Sequence, residues 1–298
     1  MLHRYVLHNS SVREASAVTL QPGQIGLLSG WGVFSTLRVY DGVMFQWPRH
    51  WQRMKRDAAR MRVPFPERPE WLEAGLEKLI DANTLDSNHA LNATLRLAIV
   101  RNQGGLFEGP GVTRAFDVVA FTVDVVKWPA RVKLGVVPQA RHAASEFAGT
   151  KYISWAENLT RYERAHEQGF DEVILLNERN EVAECTSANI FAVEANGRVW
   201  TPPLSSGCLA GVTRAVLLEE IRLPGIEIGE KALTLNDLSA AAEVFITSTT
   251  REVLPVASVD GLRIAGGDAV SNQLRRAFSE HARAFCEQYR LPIPKVGL

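Results

Sequence analysis

The chain has 298 residues, enough on length alone for about two domains and a sizeable core. Apolar residues make up 46% and charged residues 22%, which excludes a disordered or fibrous chain. The 33 basic residues balance the 33 acidic ones, so no basic field points to nucleic acid or an anionic membrane, and a small-molecule substrate fits better.

In chain order, Val33–Tyr40 mixes β-branched and aromatic residues and ends at Asp41-Gly42, a hairpin turn signal. After Val43-Met44-Phe45, the spacing of Trp51, Met54, Ala58 and Met61 predicts a helix that Pro64 and Pro66 end. A second helix is expected over Trp71–Leu85, burying Leu72, Leu76, Leu79 and Ile80, followed by strands at Ala93–Arg101 and Phe116–Val125. Val126–Arg131, with Trp128-Pro129, reads as a linker, giving an N-terminal domain over 1–125 and a C-terminal one over 132–298. Strand patterning restarts at Val132–Val137. A helix over Ser154–Gln168, capped by Gly169, is expected to bury Trp155, Leu159 and Tyr162. Strands at Glu172–Leu176 and Glu181–Val193 flank a turn at Asn177–Asn180, and Asn196-Gly197 marks another hairpin. Helices at Gly211–Ile221 and Asp268–Tyr289 bracket a strand at Glu243–Ser248. The sum is an α+β fold in two domains, with a mixed sheet expected in each.

The cysteines, Cys185, Cys208 and Cys286, are odd in number and form no CxxC pair, which argues against disulfides or a zinc site and for a reducing compartment. Cys185 reads as a small buried packer. The start lacks the apolar run of a signal peptide, and no stretch approaches ~20 apolar residues, so a cytoplasmic location is expected and no membrane or metal partner.

Five stretches stand out. They are Gly30-Trp31-Gly32-Val33-Phe34-Ser35-Thr36-Leu37-Arg38, then His50-Trp51-Gln52-Arg53, then Gly149-Thr150-Lys151-Tyr152. The fourth is Glu181-Val182-Ala183-Glu184-Cys185-Thr186-Ser187-Ala188-Asn189-Ile190-Phe191; the fifth pairs Leu209-Ala210-Gly211-Val212-Thr213-Arg214 with Ser248-Thr249-Thr250-Arg251. A lone lysine is nearly always a surface charge, but Lys151 follows a Gly-Thr turn, where partial desolvation would lower its pKa and free a neutral amine. Glu184, between Ala183 and Cys185, is an odd core choice unless it has a partner; otherwise it is an edge-strand residue facing water. Gly211-Val212-Thr213 opens a helix, whose first amides suit an anion.

In this order the five stretches resemble the class IV (fold type IV) enzymes that use pyridoxal 5′-phosphate (PLP), a family of branched-chain aminotransferases, D-amino-acid aminotransferases and aminodeoxychorismate lyases. The resemblance runs from Gly30 to Val256. It implies that Lys151 is the Schiff-base lysine and the catalytic proton carrier, and that Glu184 faces the pyridine nitrogen. Arg53 would take the phosphate, singled out from Arg49, Lys55, Arg56 and Arg60 by its register alone, with His50 structural. Val212, Thr213 and Thr249 would complete the phosphate cradle and Leu209 pack on the ring. Phe34, Thr36, Arg38, Arg96, Arg101 and Thr250 would meet the substrate, and a homodimer would complete the site through Asn102–Gly111.

Within that family, amino transfer from an L-amino acid of branched-chain type to a 2-oxo acid is favoured. Ser35 stands where branched-chain enzymes usually have glutamate, Ser187-Ala188-Asn189 where Gly-Glu-Asn is frequent, and Ala156 where a tyrosine commonly follows the lysine. No Arg-x-His pair follows Val100, which weakens the D-amino-acid reading. Ser35-Thr36 and Thr186-Ser187-Ala188 look closer to the lyase, so elimination of pyruvate is the alternative, and a non-catalytic binding protein is the third. Lys151 and Glu184 should face one pocket.

Overall fold

A computed structural model describes residues 1–18, 25–84, 90–104 and 113–289. The first half holds β1 (Leu2–His8), β2 (Ser11–Glu14), α1 (Ile25–Ser29), β3 (Gly32–Tyr40), β4 (Val43–Met44), α2 (Trp47–Arg60), α3 (Glu70–Thr84), β5 (Ala93–Arg101) and β6 (Phe116–Val123). The second half continues with β7 (Val132–Arg141), α4 (Ala156–Glu167), β8 (Glu172–Asn177), β9 (Val182–Cys185), β10 (Asn189–Val193), β11 (Val199–Thr201), α5 (Val212–Glu219), β12 (Ile228–Glu230), α6 (Leu235–Ala240), β13 (Glu243–Ser248), β14 (Glu252–Val259) and α7 (Ala269–Tyr289). The fold is α+β, with one six-stranded and one eight-stranded sheet among the described residues.

Strand alternation divides the labour of the first sheet. Val33, Leu37 and Val39 of β3 and Leu95, Leu97 and Ile99 of β5 point to one face, where Met54 and Ala58 of α2 and Leu72, Leu76 and Leu79 of α3 cover them. Each such side chain, once fully buried, contributes about 1.5–3 kcal/mol. The even-numbered side chains Phe34, Thr36 and Arg96 point to the opposite face, with Thr36 directly across from Arg96. The sheet, ordered β2-β1-β6-β5-β3-β4, is antiparallel throughout. This corrects the expectation of a mixed sheet in each half. The β3–β4 hairpin reverses the chain before α2 and α3 carry it over the sheet, so β5 runs in the direction of β4 and antiparallel to β3.

The second sheet, ordered β12-β11-β10-β13-β14-β7-β8-β9, is mixed: β7 runs parallel to both β14 and β8, and β11 to β12. One face packs Ile190, Val244 and Leu254 with Leu238 of α6. The other packs Phe191, Phe245 and Val253 against Val216 and Leu217 of α5 and Leu274 and Phe278 of α7. Phe45 joins this second core, edge-on to Phe278 with ring centroids 5.6 Å apart, so the first half is anchored into the second.

Two local expectations change. The long strand over Glu181–Val193 is two strands, because Cys185 N–H donates to Ala188 O (2.8 Å) and turns the chain at Thr186-Ser187. The helix expected from Ser154 begins at Ala156 and buries Asn158 and Ala165, while Leu159 is 50% exposed. Trp155 precedes the helix, and it and Tyr162 line a cavity instead of the core. Of Asn102–Gly111, residues 105–111 lie outside the described residues, as does Leu85 of the second helix.

Candidate active site

Between the two sheets lies a cavity of about 640 Å³. Lys151 reaches it from a stretch stitched into the first sheet: Phe34 N–H donates to Lys151 O (3.1 Å), and Ile153 N–H to Gly32 O (3.0 Å). Lys151 N–H donates to Oδ2 of buried Asp57 (3.1 Å), which ties the same residue to α2. Gly149 makes the approach possible: its φ is +68°, and a Cβ there would lie 2.7 Å from Cys208 O.

The Lys151 amine is buried against aromatic rings. Its Nζ lies 4.4 Å from the Phe34 ring centroid and 5.9 Å from that of Trp155. Burial, reinforced by Arg53 and Arg96, pulls its pKa down to about 7, against the opposing pull of Glu184 and Asp57. The amine is therefore half neutral near pH 7. Capture of an aldehyde such as PLP by the protein should rise roughly tenfold between pH 6 and 8 and then level off, whereas an unshifted lysine would keep gaining through pH 10. Stopped-flow absorbance against pH measures this.

Glu184 lines the same cavity, and a neighbour from another element holds each of its oxygens. Arg141 Nε, at the end of β7, donates to Oε1 (3.0 Å), and Leu209 N–H donates to Oε2 (3.0 Å). Arg141 also donates to Asn158 Oδ1 (3.1 Å), and Asn158 donates to Thr186 O (2.8 Å). Glu184 therefore stays a fixed acceptor, able to take one more donor from within the cavity.

At another wall, buried Arg53 donates to Ser35 Oγ (2.8 Å) and Ala210 O (3.4 Å), while its Nε has no partner among the described residues. Burial lowers its pKa to about 10, so it remains a cation at neutral pH. Ser35 also meets Nδ1 of His50 (2.7 Å), whose pKa burial drives well below the usual imidazole range. His50 is thus a neutral brace for Arg53, in keeping with the structural part expected of it. Val212 and Thr213 open α5, which has no side-chain cap. A Cβ on Gly211 would lie 2.1 Å from Asn189 Oδ1. Thr150 Oγ1 and Thr247 Oγ1 are buried without partners among the described residues. Unpaired hydroxyls, a guanidinium with a free Nε and a helix start suit a phosphate, while the lysine amine and the carboxylate suit an aldehyde and a ring nitrogen. These residues fit PLP.

Of the residues expected from sequence, Phe34, Thr36, Arg53, Arg96, Lys151, Glu184, Leu209, Val212, Thr213, Thr249 and Thr250 all line the cavity. Arg38 and Arg101 do not. Arg38 folds along its own strand onto the Tyr40 ring (4.7 Å) and donates to Ala93 O (3.0 Å). Arg101 lies five residues from Arg96, hence on the other face of β5, where it stacks on Trp31 (4.1 Å) and donates to Arg62 O (2.6 Å). Sequence reasoning missed Arg141, Asn158 and the cavity-facing role of Trp128 and Trp155. No local pattern marks Arg141; its only signal is its place at the end of a strand adjoining the one that pairs with Glu184.

The model of the family Amino-transferase class IV matches residues 32–259, and the chain belongs to that family. It is a family of PLP-dependent transaminases. A putative branched-chain-amino-acid aminotransferase of Methanocaldococcus jannaschii is 33% identical over 253 residues, 79% of this chain and 81% of the relative. A D-alanine aminotransferase of Listeria innocua is 28% identical over 288 residues, 94% and 97% of the two chains. Among solved structures, a hypothetical aminotransferase from Mycobacterium tuberculosis in a PLP-bound form superposes with a TM-score of 0.81, covering 94% of this chain and 99% of that one at 22% identity. No helix among the described residues is long and apolar enough to cross a membrane.

Replacing Arg53 with methionine should weaken PLP binding about 10- to 100-fold, the value of one or two charge-assisted hydrogen bonds. Pyridoxal, which lacks the phosphate, should lose little. Titration of the apoprotein by absorbance separates the two, and equal losses would remove Arg53 from the phosphate.

Proposed function

We propose that this protein is a PLP-dependent transaminase that moves the amino group of an L-amino acid of branched-chain type to a 2-oxo acid, as a cytoplasmic homodimer. The observation that carries the proposal is the Lys151 amine, its pKa drawn to about 7, in one cavity with Glu184 and the Arg53 guanidinium. Lys151 would hold the cofactor covalently. Glu184 would hold the proton on its ring nitrogen, Arg53 with Val212, Thr213 and Thr249 its phosphate, and Leu209 the ring face. PLP, when bound, supplies an electron sink for the negative charge left on a carbon next to nitrogen. Lys151 Nζ, able to exchange a proton near pH 7, would take the substrate's Cα proton and deliver it to the cofactor carbon that bears the nitrogen, so that the amino group stays with the cofactor.

The substrate end is apolar and aromatic, with the Arg96 cation beside it. Phe34 and Trp155 meet edge to face (5.9 Å between centroids), and Arg96 lies over Phe34 at 3.6 Å. Among the described residues no carboxylate pairs with Arg96, whose one side-chain hydrogen bond there is to Thr36 Oγ1 (3.4 Å). Arg96 and the Thr249-Thr250 turn are the candidate carboxylate binders, and the aromatic walls suit an aliphatic side chain. The branched-chain relative at 33% identity supports the same substrate, and the missing Arg-x-His pair counts against D-amino acids.

A donor screen on the PLP form tests the reading. L-leucine, L-valine and L-isoleucine should convert 2-oxoglutarate to glutamate, and D-alanine should not. Turnover of D-alanine alone would overturn the substrate class. Release of pyruvate from aminodeoxychorismate, with no net amino transfer, would replace transfer with elimination.

A further inference from the structure

We propose that the buried Arg251–Glu172 ion pair positions the Thr249-Thr250 turn to receive the substrate's carboxylate, an inference that rests on the transaminase reading above. Arg251 follows that turn directly, and Glu172 opens β8. The side chains are 3% and 0% exposed, and Arg251 Nη2 donates to Glu172 Oε2 (3.1 Å). Arg251 Nη1 also donates to Ser187 Oγ (2.9 Å), and its guanidinium lies 4.0 Å from the Trp128 ring centroid. Glu172 in turn accepts from Ser187 Oγ (2.6 Å), Thr186 N–H (3.2 Å) and Thr186 Oγ1. One ion pair therefore joins three pieces of the cavity wall: the Ser248–Arg251 turn, the Thr186-Ser187 turn and Trp128.

The far side of the turn is also pinned. Glu252 has φ of +54°, in the left-handed region that side chains other than glycine's rarely adopt. Its carboxylate accepts from Tyr40 Oη (2.6 Å), on the last residue of β3 in the other sheet. The turn is thus held by charge on one flank and, on the other, by a hydrogen bond to a strained residue.

Stability alone is a poor reason to bury this pair, since well-packed apolar residues would serve as well. Nor is Arg251 itself the carboxylate binder, because Glu172 and Ser187 already occupy its fork. Arg96, in the same cavity, has no carboxylate partner among the described residues. The pair's effect on substrate is therefore carried by the turn.

The test uses holoenzyme variants Arg251→Lys, which keeps the charge but loses the planar fork, and Glu172→Gln, together with Tyr40→Phe, which removes a single hydroxyl. In the first two, KM for L-leucine and the inhibition constant of 4-methylpentanoate, a carboxylate without an amine, should both rise about tenfold. In both, kcat should stay within about threefold and the absorbance of bound PLP should be unchanged. The double variant should be no worse than the worse single, as for two residues acting as one unit. Tyr40→Phe should raise both constants about threefold. Variants that melt earlier yet keep wild-type KM and 4-methylpentanoate inhibition would make the pair merely structural and overturn the proposal. Loss of PLP with carboxylate binding intact would overturn it too. Failure of the parent reading shows separately, as a wild type that takes up no PLP or gives no glutamate.

Discussion

Lys151→Ala is expected to lower amino transfer by at least ~10³-fold, because in the proposed function one side chain is both the covalent hold on the cofactor and the proton carrier. The rest of the cavity does not depend on that amine. Arg53 is braced by Ser35, and Glu184 by Arg141 and Leu209 N–H. The variant should therefore still bind PLP, but noncovalently, with an absorbance that borohydride no longer fixes to the protein. It should also be no less stable than the wild type near neutral pH. A lysine whose pKa is depressed in the folded state, here to about 7 from 10.5, binds fewer protons folded than unfolded. Its penalty is thus full below pH 7 and is relieved as pH climbs toward 10.5. Thermal melts at pH 6.5 with and without the lysine check the sign.

Glu184→Gln carries the second large effect. A neutral amide cannot hold a proton on a ring nitrogen, and losing that charge-assisted bond should cost roughly 10²-fold in kcat. The change also has a structural price. Glu184 accepts from Arg141 on one oxygen and from Leu209 N–H on the other, whereas glutamine presents only one oxygen. One of those donors would face an NH₂ group, at a cost of about 1–3 kcal/mol. A melting temperature several degrees lower with kcat kept would make Glu184 a brace for Arg141 alone. A large loss of kcat in folded, PLP-loaded protein is the expected result.

Much of this site was legible in the sequence because its residues lie in short stretches with backbone reasons to exist. Gly149 must be glycine to pass Cys208, and that fixes where Lys151 emerges. Gly211 must be glycine beside Asn189, and that fixes the start of α5. The resemblance singled out Phe34, Thr36, Arg96 and Arg101 alike; strand alternation puts Arg101 on the opposite face of β5 from Arg96 and would have excluded it. Arg38 has the right parity, yet lies near the hairpin end of β3, where Ala93 O captures its guanidinium. Contacts between residues far apart in the chain were not legible. Arg141 and Glu184 are 43 positions apart, and Arg251 and Glu172 are 79 apart. Each pair is made by sheet order, which no local pattern encodes. The antiparallel first sheet escaped for the same reason, since strand patterning does not report the direction in which a strand runs. Trp155, just before α4, and Tyr162 within it looked like a core stripe because apolar spacing alone does not distinguish a core from a cavity wall.

The most direct test is to incubate the purified protein with PLP, reduce it with borohydride, and map the modified residue by peptide mass spectrometry. The phosphopyridoxyl mass should fall on the peptide containing Lys151, at one equivalent per chain, with the surface lysines unmodified. Modification elsewhere, or none at all, would contradict a PLP site built on Lys151.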